Sequence, residues 1–455
     1  MSIELSKQYH DVDWIELQFT DLVGALHGVF VNSKDFYENL AQGFVKLDGS
    51  SIKGFADIEY SDLLLKPVVS TLARVPWHDR TARVFSVIYD PYTSRRFSKD
   101  PRYAAEKVEK LLSSKGLRAL VGVEIEFFVF DSVEYHVSNY DQVLKISSRE
   151  ARDMYKTPLK SSYYVVEPYD RFTEYRLILS KILKEYFKVS VKNHHHEVAS
   201  AGQIEVNVEA TNPLPMADKV QTVKYVAKNI ALQQGRMAVF LPKPVMGDNG
   251  SGMHVHLSLW DNFHNLFCDE NDDYANLSQI ARYFIGGLIE HGRSLSALVS
   301  PTVNSYRRLI PGYEAPIYLT WGKSNRSAAI RIPATLSAQS KRIEYRPPDP
   351  LANPYLALPA IILAGLDGIN KKIDPGDPVD VNVYKLDVNR RRELGIVELP
   401  RSLEEAIDEL ESDNGYLKPV FDSELLESYV EVKRKESRFL QGIPSPAEFT
   451  YYSII

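Results

Sequence analysis

The sequence predicts an α+β protein in which a small β-rich domain precedes a larger domain of mixed helices and strands. Residues 12–31, "VDWIELQFTDLVGALHGVFV", alternate apolar and polar side chains around Gly24, which is typical of a β-hairpin. Residues 91–101, "PYTSRRFSKDP", are polar and bounded by prolines, which indicates a domain junction. Helical and strand-like patterns follow this junction. We therefore expect one domain over residues 1–99 and a second over residues 100–455.

The elements on either side of the junction have clear signals. Residues 68–90 contain strand-like runs, notably "ARVFSVIYD". A helix is expected to begin with Asp100 as its N-cap and Pro101 at its first position, and to stop at Gly116. The stretch "LRALVGVEIEFFVF" (117–130) predicts the strand that follows.

The second half of the chain is richer in helices. Residues 216–235 predict a long helix, residues 251–260 ("SGMHVHLSLW") a strand, and residues 276–299 a mostly apolar helix. Ser402 and Glu405 form a capping-box pattern at the start of "LEEAIDELES". Residues 422–440 place charged side chains around Leu, Tyr and Val, which favours a solvent-facing helix.

Composition excludes several classes of protein. The 455 residues carry a net charge of −6, so the sequence does not indicate a nucleic-acid binder. A single cysteine excludes an internal disulfide framework and fits a reducing compartment. No apolar run is long enough for a transmembrane helix, and the first residues lack the apolar core of a signal peptide. We expect a cytoplasmic protein that does not bind membranes.

The stretch "KRIEYRPPDP" (341–350) places a carboxylate between two arginines. If residues 341–346 form a strand, Arg342, Glu344 and Arg346 share one face, while Ile343 and Tyr345 point toward a core. The double proline ends the strand. Taken alone, this pattern favours a solvated sheet face over a functional site, and the rest of the chain has to decide between them.

Polar residues recur two apart on other predicted strands. Glu124 and Glu126 share a face of one strand, although an isolated pair of this kind also fits a half-exposed strand. Glu197 and Glu205 flank a glycine-containing turn that could bring them together, or that could simply be a polar loop. A glycine-rich loop leads into a strand whose one face carries His254, His256 and Ser258.

Taken together, these patterns indicate a metal site. Clustered carboxylates repel one another and resist burial without a cation, and hard divalent ions such as Mg²⁺ or Mn²⁺ prefer oxygen ligands. Two such ions beside arginines suit phosphoryl transfer from a nucleotide. The chain has neither a P-loop nor a kinase signature, so metals and arginines would have to hold the nucleotide. The six candidate ligands are Glu124, Glu126, Glu197, Glu205, His254 and Glu344.

Seven motifs in order resemble glutamine synthetase of the prokaryotic type I class over nearly the whole chain. They are "LDGSSIKGFADIEYSD" (47–62), "GVEIEFF" (122–128), "HHEVASAGQIE" (195–205), "PKPVMGDNGSGMHVHLSL" (242–259), "PTVNSYRRLIPGYEAP" (301–316), "NRSAAIRIP" (325–333) and "RIEYRPPDPLANPYLA" (342–357). The resemblance implies ATP-dependent formation of glutamine from L-glutamate and ammonia through γ-glutamyl phosphate. It implies an N-terminal β-grasp-like domain and a C-terminal catalytic domain with an antiparallel sheet flanked by helices.

The resemblance also assigns roles to residues. One metal would use Glu126, Glu197 and Glu205 beside glutamate, and the other would use Glu124, His254 and Glu344 beside the ATP phosphates. The remaining assignments cover substrate and nucleotide: Arg326 and Arg331 for phosphate stabilisation, Arg342, His256 and Ser258 for the nucleotide side, Arg308 and Arg346 for the substrate carboxylates, and Asn249 and Gly250 for the amino-acid end.

Two further residues would act in the amination step. Asp48, with Ser51 beside it, matches the family's aspartate that binds ammonium and favours its deprotonation, and Glu314 matches the flap glutamate that closes over the site. The resemblance implies two stacked rings of six subunits, with Asp48 reaching the catalytic domain of a neighbour. The apolar terminus "AEFTYYSII" (447–455) would suit docking into a neighbour or packing on its own subunit.

A few positions depart from the family pattern. Gln339 stands where a lysine near the adenine is common, and Lys192 stands where a nucleotide-side glutamate is usual, so ATP affinity is in question. Residues 163–172 differ from a usually proline-rich segment, and the context of Tyr384 does not predict its modification. Alternatives are a γ-glutamyl amide ligase that uses an organic amine, an inactive homologue with an assembly or sensor role, and a phosphotransferase of unrelated fold.

Overall fold

The computed structural model describes residues 9–39 and 43–448. The strands are β1 Trp14–Thr20, β2 Leu26–Asn32, β3 Val45–Asp48, β4 Asp62–Pro67, β5 Ala73–Arg74, β6 Thr81–Tyr89, β7 Arg118–Phe130, β8 Ser132–Val137, β9 Gln142–Ser147, β10 Val191–His196, β11 Gln203–Thr211, β12 Met237–Val239, β13 Met253–Trp260, β14 Tyr318–Leu319, β15 Trp321–Lys323, β16 Ile330–Ile332, β17 Ile343–Tyr345 and β18 Val397–Glu398. The α-helices are α1 Ser33–Asn39, α2 Pro101–Ser114, α3 Arg149–Arg152, α4 Thr173–Phe187, α5 Pro213–Gln233, α6 Gln279–Glu290, α7 Gly292–Val299, α8 Ser305–Arg308, α9 Pro354–Lys371, α10 Val388–Glu393, α11 Leu403–Ser412 and α12 Ser423–Gln441.

A six-stranded sheet forms the N-terminal part of the molecule. Its order is β2-β1-β6-β4-β3, with β5 beside β6, and only the β1–β6 pairing is parallel. The predicted hairpin is confirmed as β1 and β2. Gly24 turns the chain between them at φ +91°, a conformation that favours glycine, and packs against Asn353 of the larger sheet's domain.

The second sheet carries the residues of chemical interest. Its eight strands run β10-β11-β7-β13-β17-β16-β15, with β12 beside β7, and only the β15–β16 pairing is parallel. Along β7 the apolar Val121, Val123, Ile125 and Phe127 are 1% exposed or less and join the core under helix α5. The alternate positions Glu124 and Glu126 therefore face the other side of the sheet.

Several predicted boundaries are close to those observed. Asp100 caps α2 by accepting a hydrogen bond from the backbone N–H of Arg102, and Ser402 caps α11 by accepting one from Glu405. Helix α5 begins at Pro213, three residues before the predicted start. The carboxylate of Glu405 accepts from the backbone N–H of Arg401 rather than Ser402, so the capping box is shifted by one residue.

Other sequence-based expectations need correction. The predicted helix 276–299 is two helices, α6 and α7, because the chain bends at His291. The predicted strand 341–346 is only the three residues of β17, although Ile343 and Tyr345 are fully buried as expected. Helix α12 is not simply solvent-facing, since Leu425, Tyr429 and Val432 on one face are buried.

Two expectations concern the surroundings of the chain. Where residues have been placed, none of the helices combines the length and the apolar character that crossing a bilayer requires. The expectation that residues 447–455 dock into a neighbour or pack on their own subunit falls mainly on residues 449–455, which lie outside the described residues.

Candidate active site

A cavity of about 660 Å³ opens over the polar face of the eight-stranded sheet. Strand register brings the acidic residues together there. Glu126 of β7 lies opposite Glu205 of β11, which in turn lies opposite His195 of β10. In the next rows Glu124 lies opposite His254, and His256 lies opposite Glu344. The i, i+2 pattern of the sequence thus becomes a row of ligands across neighbouring strands.

The first acidic cluster surrounds the turn between β10 and β11. His195 Nε2 lies 3.1 Å from Glu205 Oε1, and His195 Nδ1 lies 3.9 Å from Glu197 Oε1. The backbone N–H of Val198 donates to Glu197 at 2.7 Å, and that of Gly252 donates to Glu126 at 2.8 Å. Short backbone contacts of this kind fix where the carboxylates point before any ligand arrives.

Burial, reinforced by mutual repulsion, opposes ionisation of the carboxylates in this cluster. Burial and the nearby charge of Glu205 raise the pKa of Glu126 to about 8. Burial and the charge of Glu126 also raise the pKa of Glu197 well above its ordinary value. Carboxylates arranged in this way are costly to ionise without a cation, and a divalent ion with oxygen ligands removes that cost.

The second cluster contains Glu124, Glu344 and two histidines. His256 Nε2 lies 2.7 Å from Glu124 Oε1, and His254 Nδ1 lies 3.2 Å from Glu124 Oε2 and 3.7 Å from Glu344 Oε1. Burial alone would raise the pKa of Glu124, but the hydrogen bonds of both histidines lower it below its ordinary value. Burial likewise opposes ionisation of Glu344, yet the charge of Arg346 lowers its pKa to about 2.

The donor sets suit a hard divalent ion. Ligand atoms of His195, Glu197 and Glu205 lie within 4.8 Å of one another, and so do those of Glu124, His256 and Glu344. These sets differ by one residue each from the predicted ones, with His195 in place of Glu126 and His256 in place of His254. Glu126 and His254 lie between the two groups, with His254 Nε2 at 3.8 Å from Glu126 Oε1.

The arginines occupy several different positions. Arg346 and Arg331 both donate to Glu344, whereas Arg342 Nε donates to His256 Nδ1 at 3.2 Å. The sequence pattern had indicated Arg342 as the second arginine beside Glu344. The structure instead places Arg331, from the neighbouring strand β16, in that position. Because Glu344 and Arg346 are 1% and 3% exposed, a solvated face is excluded.

The residues predicted to bind the amino-acid substrate are closely packed. Arg308 is buried and donates to the carbonyl oxygens of Arg346 and Pro347 at 3.1 and 2.8 Å. Asn249 is 5% exposed, and its Oδ1 has no hydrogen-bond partner among the residues placed by the structure. A Cβ on Gly250 would lie 2.4 Å from the carbonyl oxygen of Pro242, so glycine alone fits there. The free Oδ1 is available to a ligand.

Two of the predicted residues, Glu314 and Asp48, have exposed side chains. Glu314 is exposed, lines the cavity and adopts φ +56°, a conformation rare for a residue with a side chain. Asp48 is exposed at the end of β3 and does not line the cavity of its own chain. The hydroxyls of Ser50 and Ser51 donate to its carboxylate at 2.7 and 2.8 Å, and these hydrogen bonds lower its pKa.

Most of the predicted residues meet in the one cavity. The exceptions are Arg331, Glu344 and Asp48, which are not part of the cavity lining. Ser258 lines the cavity, and its hydroxyl accepts a hydrogen bond from Trp260 Nε1 at 2.9 Å. Gln339 and Lys192 also line it. The predicted residues in the lining are Glu124, Glu126, Glu197, Glu205, Asn249, Gly250, His254, His256, Ser258, Arg308, Glu314, Arg326, Arg342 and Arg346.

Sequence reasoning missed several residues of the site. His195 was visible only as part of a run of three histidines, and its strand position selects it over its neighbours. Gln203 lies next to Glu126, and its Nε2 donates to the carbonyl oxygen of Gly250 at 2.9 Å. Asp248, directly before Asn249 in the glycine-rich loop, is completely buried and accepts hydrogen bonds from several loops. Its place in that motif was the available signal.

The fold and the site define a metal-dependent enzyme that acts on anionic substrates. Family models described as "Glutamine synthetase, beta-Grasp domain" and "Glutamine synthetase, catalytic domain" match residues 11–91 and 98–452. The chain belongs to the glutamine synthetase family. The predicted family and fold class are both confirmed.

Individual relatives cover almost the whole chain. A glutamine synthetase of Sulfolobus acidocaldarius is 51% identical over 453 residues, which span 97% of this chain and 96% of that protein. The structure of Plasmodium falciparum glutamine synthetase has a TM-score of 0.88 at 27% identity and covers 99% of this chain and 98% of its own. A GmaS structure in complex with ADP has a TM-score of 0.85 at 28% identity and covers 100% of both chains.

Proposed function

We propose that the cavity catalyses ATP-dependent formation of L-glutamine from L-glutamate and ammonia, with release of ADP and phosphate. One observation carries the proposal: two adjacent acidic clusters and a set of arginines line or border a single cavity in a chain of this family. A carboxylate is a poor electrophile until one oxygen becomes a good leaving group, and phosphorylation supplies that leaving group. The arginines in and beside the cavity would supply positive charge to an anionic substrate and its phosphoryl donor.

The acidic clusters would hold the metals. Glu126, Glu197 and Glu205 are proposed for one ion, and Glu124, His254 and Glu344 for the other, with His195 and His256 beside them. Mg²⁺ or Mn²⁺ would be used, with at least two ions in each site. When bound, the ions neutralise phosphate oxygens and polarise the phosphorus that is attacked. Glu344 is already oriented for this role by Arg331 and Arg346.

The substrates would be held by different parts of the cavity. We propose that glutamate is bound by Arg308, Arg346, Asn249 and Gly250. The buried side-chain oxygen of Asn249, which has no partner among the described residues, would accept a hydrogen bond from the α-ammonium group of glutamate. Nucleotide contacts are proposed for His256, Ser258, Arg331 and Arg342, with Lys192 and Gln339 nearby. The γ-carboxylate then attacks the γ-phosphorus of ATP, and Arg326 stabilises charge on the phosphoryl oxygens during the transfer.

Amination would require a residue from another subunit. Asp48 is proposed to bind ammonium and favour loss of its proton, so that ammonia attacks the acyl carbon and phosphate leaves. Because Asp48 is exposed and outside the cavity of its own chain, it would act in the cavity of a neighbour. We further propose that the protein is a dodecamer of two stacked rings, each of six subunits. Its two domains would cover residues 1–99 and 100–455, and its location would be cytoplasmic.

The test is phosphate release and glutamine formation by the purified protein with ATP, L-glutamate and Mg²⁺ or Mn²⁺. Ammonium is compared with putrescine and ethylamine. Ammonium-dependent release with glutamine as product is the expected result. Release only with an organic amine would instead assign a γ-glutamyl amide ligase, and absence of release with every amine and both metals would assign an inactive homologue.

A further inference from the structure

The segment that carries Glu314 is held over the cavity by two lysines. In this flap, residues 310–315, the Tyr313 ring has Lys160 Nζ at 3.7 Å and Lys243 Nζ at 3.5 Å from its centroid. Lys160 Nζ also donates to the carbonyl oxygen of Gly312 at 3.0 Å. Cations over an aromatic face are attracted by its negative charge density, so both lysines hold the flap.

Both lysines are anchored to the same buried aspartate. The backbone N–H of Lys160 donates to Asp248 Oδ1 at 3.0 Å, and Lys243 Nζ donates to the carbonyl oxygen of Asp248. Asp248 is completely buried, and its Oδ2 accepts from Ser200 N and Ser200 Oγ, both at 2.7 Å. Its Oδ1 also accepts from the N–H of Asn249 at 3.0 Å.

Asp248 thereby connects three parts of the site. Ser200 lies in the turn between the proposed metal ligands Glu197 and Glu205, and Asn249 belongs to the proposed amino-acid end. The third part is the flap, reached through the two lysines. Ser200, Asn249 and the backbone of Lys160 all donate to the Asp248 carboxylate, and Lys243 donates to the backbone carbonyl of the same residue, so a displacement of Asp248 disturbs all three parts.

We propose that Lys160, Lys243 and Asp248 are positioning residues that hold the flap closed while the acyl phosphate exists. The inference rests on the proposed function. With the flap displaced, water attacks the phosphorus of γ-glutamyl phosphate, the acyl oxygen leaves, and glutamate and phosphate are released. ATP is then consumed without glutamine being formed, because the intermediate is lost before ammonia reaches it.

The test measures phosphate and glutamine in the same reaction. Wild-type protein is expected to release one phosphate for each glutamine. Lys160→Met and Tyr313→Leu are expected to release more phosphate than glutamine and to lose glutamine turnover by about tenfold to a hundredfold, as for a misplaced active-site group. Lys160→Arg and Tyr313→Phe, which keep the cation and the ring, are expected to restore the ratio. Lys156→Met, at an exposed lysine of the same segment, is the matched control.

A ratio that stays at one while turnover falls in Lys160→Met and Tyr313→Leu would overturn the proposal, since these residues would then act only through packing. A second measurement does not depend on activity. Amide hydrogen exchange in residues 310–315 is expected to rise in Lys160→Met but not in Lys156→Met. In Asp248→Asn, exchange is expected to rise both in residues 310–315 and in residues 198–202. Wild-type protein that makes no glutamine would contradict the proposed function, while unchanged exchange would contradict the role of the lysines.

Discussion

Arg331 of β16 lies directly opposite Glu344 of β17, and its Nη1 donates to Glu344 Oε2 at 2.5 Å. Arg346 Nη1 donates to the other carboxylate oxygen, also at 2.5 Å. Glu344 is 1% exposed, so two guanidinium groups replace the water that would otherwise solvate its charge. The carboxylate is therefore oriented before any substrate or ion binds.

Glu344→Gln is expected to destabilise the protein strongly. The substitution leaves the buried Arg346 without its anion, and removal of one partner of a buried pair costs about 3–5 kcal/mol. The free energy of unfolding, measured from urea titrations with chelator present, is expected to fall by that amount. Glu393→Gln, which removes the partner of the exposed Arg390, is the control and should leave the urea midpoint unchanged. Equal midpoints for both variants would contradict the buried-pair interpretation.

Metal removal is expected to destabilise wild-type protein more than it destabilises Glu205→Gln. Glu205 repels Glu126 and Glu197 when no cation is present, so the variant should melt at or above the wild-type temperature in chelator. Saturating Mg²⁺ should stabilise wild-type protein by about 2.7 kcal/mol at a hundred times the dissociation constant, and Glu205→Gln by less. Glu209→Gln, at an exposed position of the same strand, should behave as wild type. A variant that melts lower in chelator would show that repulsion by Glu205 does not destabilise the metal-free protein.

His291 is expected to make the stability of the fold depend on pH. Its two ring nitrogens lie 2.8 Å from Asp367 and Asp413, and the ring stacks on Tyr416. Burial alone would lower the pKa of His291, but hydrogen bonding to Asp413 and Asp367 raises it above the ordinary 6.5. A histidine with a raised folded pKa stabilises the fold fully below its unfolded pKa, and this contribution is lost as pH rises through the folded pKa.

The corresponding measurement compares melting temperatures at pH 6 and pH 9. Wild-type protein should exceed His291→Gln by more at pH 6 than at pH 9. Lys371, which lies 2.8 Å from Asp367, remains charged at both values and offsets part of the negative charge. His264→Gln, at a histidine whose side chain is 79% exposed, is the control and should change the melting temperature little. A constant difference for His291→Gln would mean that packing on Tyr416, not charge, is lost.

Asp48→Ala is expected to reduce glutamine formation without harming the fold. The side chain is exposed, and its hydrogen bonds are to the neighbouring Ser50 and Ser51. Loss of a group that assists proton transfer should lower turnover with ammonium by about 10²–10⁴-fold. Asp62→Asn, on the strand paired with Asp48, is the control. Full activity of Asp48→Ala would remove this residue from the amination step.

Local patterns predicted the elements whose causes are local. The hairpin β1–β2 follows from alternation around Gly24, and the start of α2 follows from Asp100 and Pro101. The partners of His291, at the break between α6 and α7, could not be predicted in this way, since they are two aspartates 76 and 122 residues away. The same holds for Arg331, whose proximity to Glu344 depends on the register between β16 and β17.

The sequence by itself determined the alternation that places Glu124, Glu126, Glu205, His254 and Glu344 on strand faces, and the ordered motifs that identify the family. Only the tertiary structure decided which of these side chains meet. Strand order and register set distances between side chains that are far apart in the chain, and neither is encoded in a period of two. For that reason the partnership of Arg331 with Glu344, the entry of His195 into an acidic cluster, and the link from Asp248 to the flap became visible only in the folded protein.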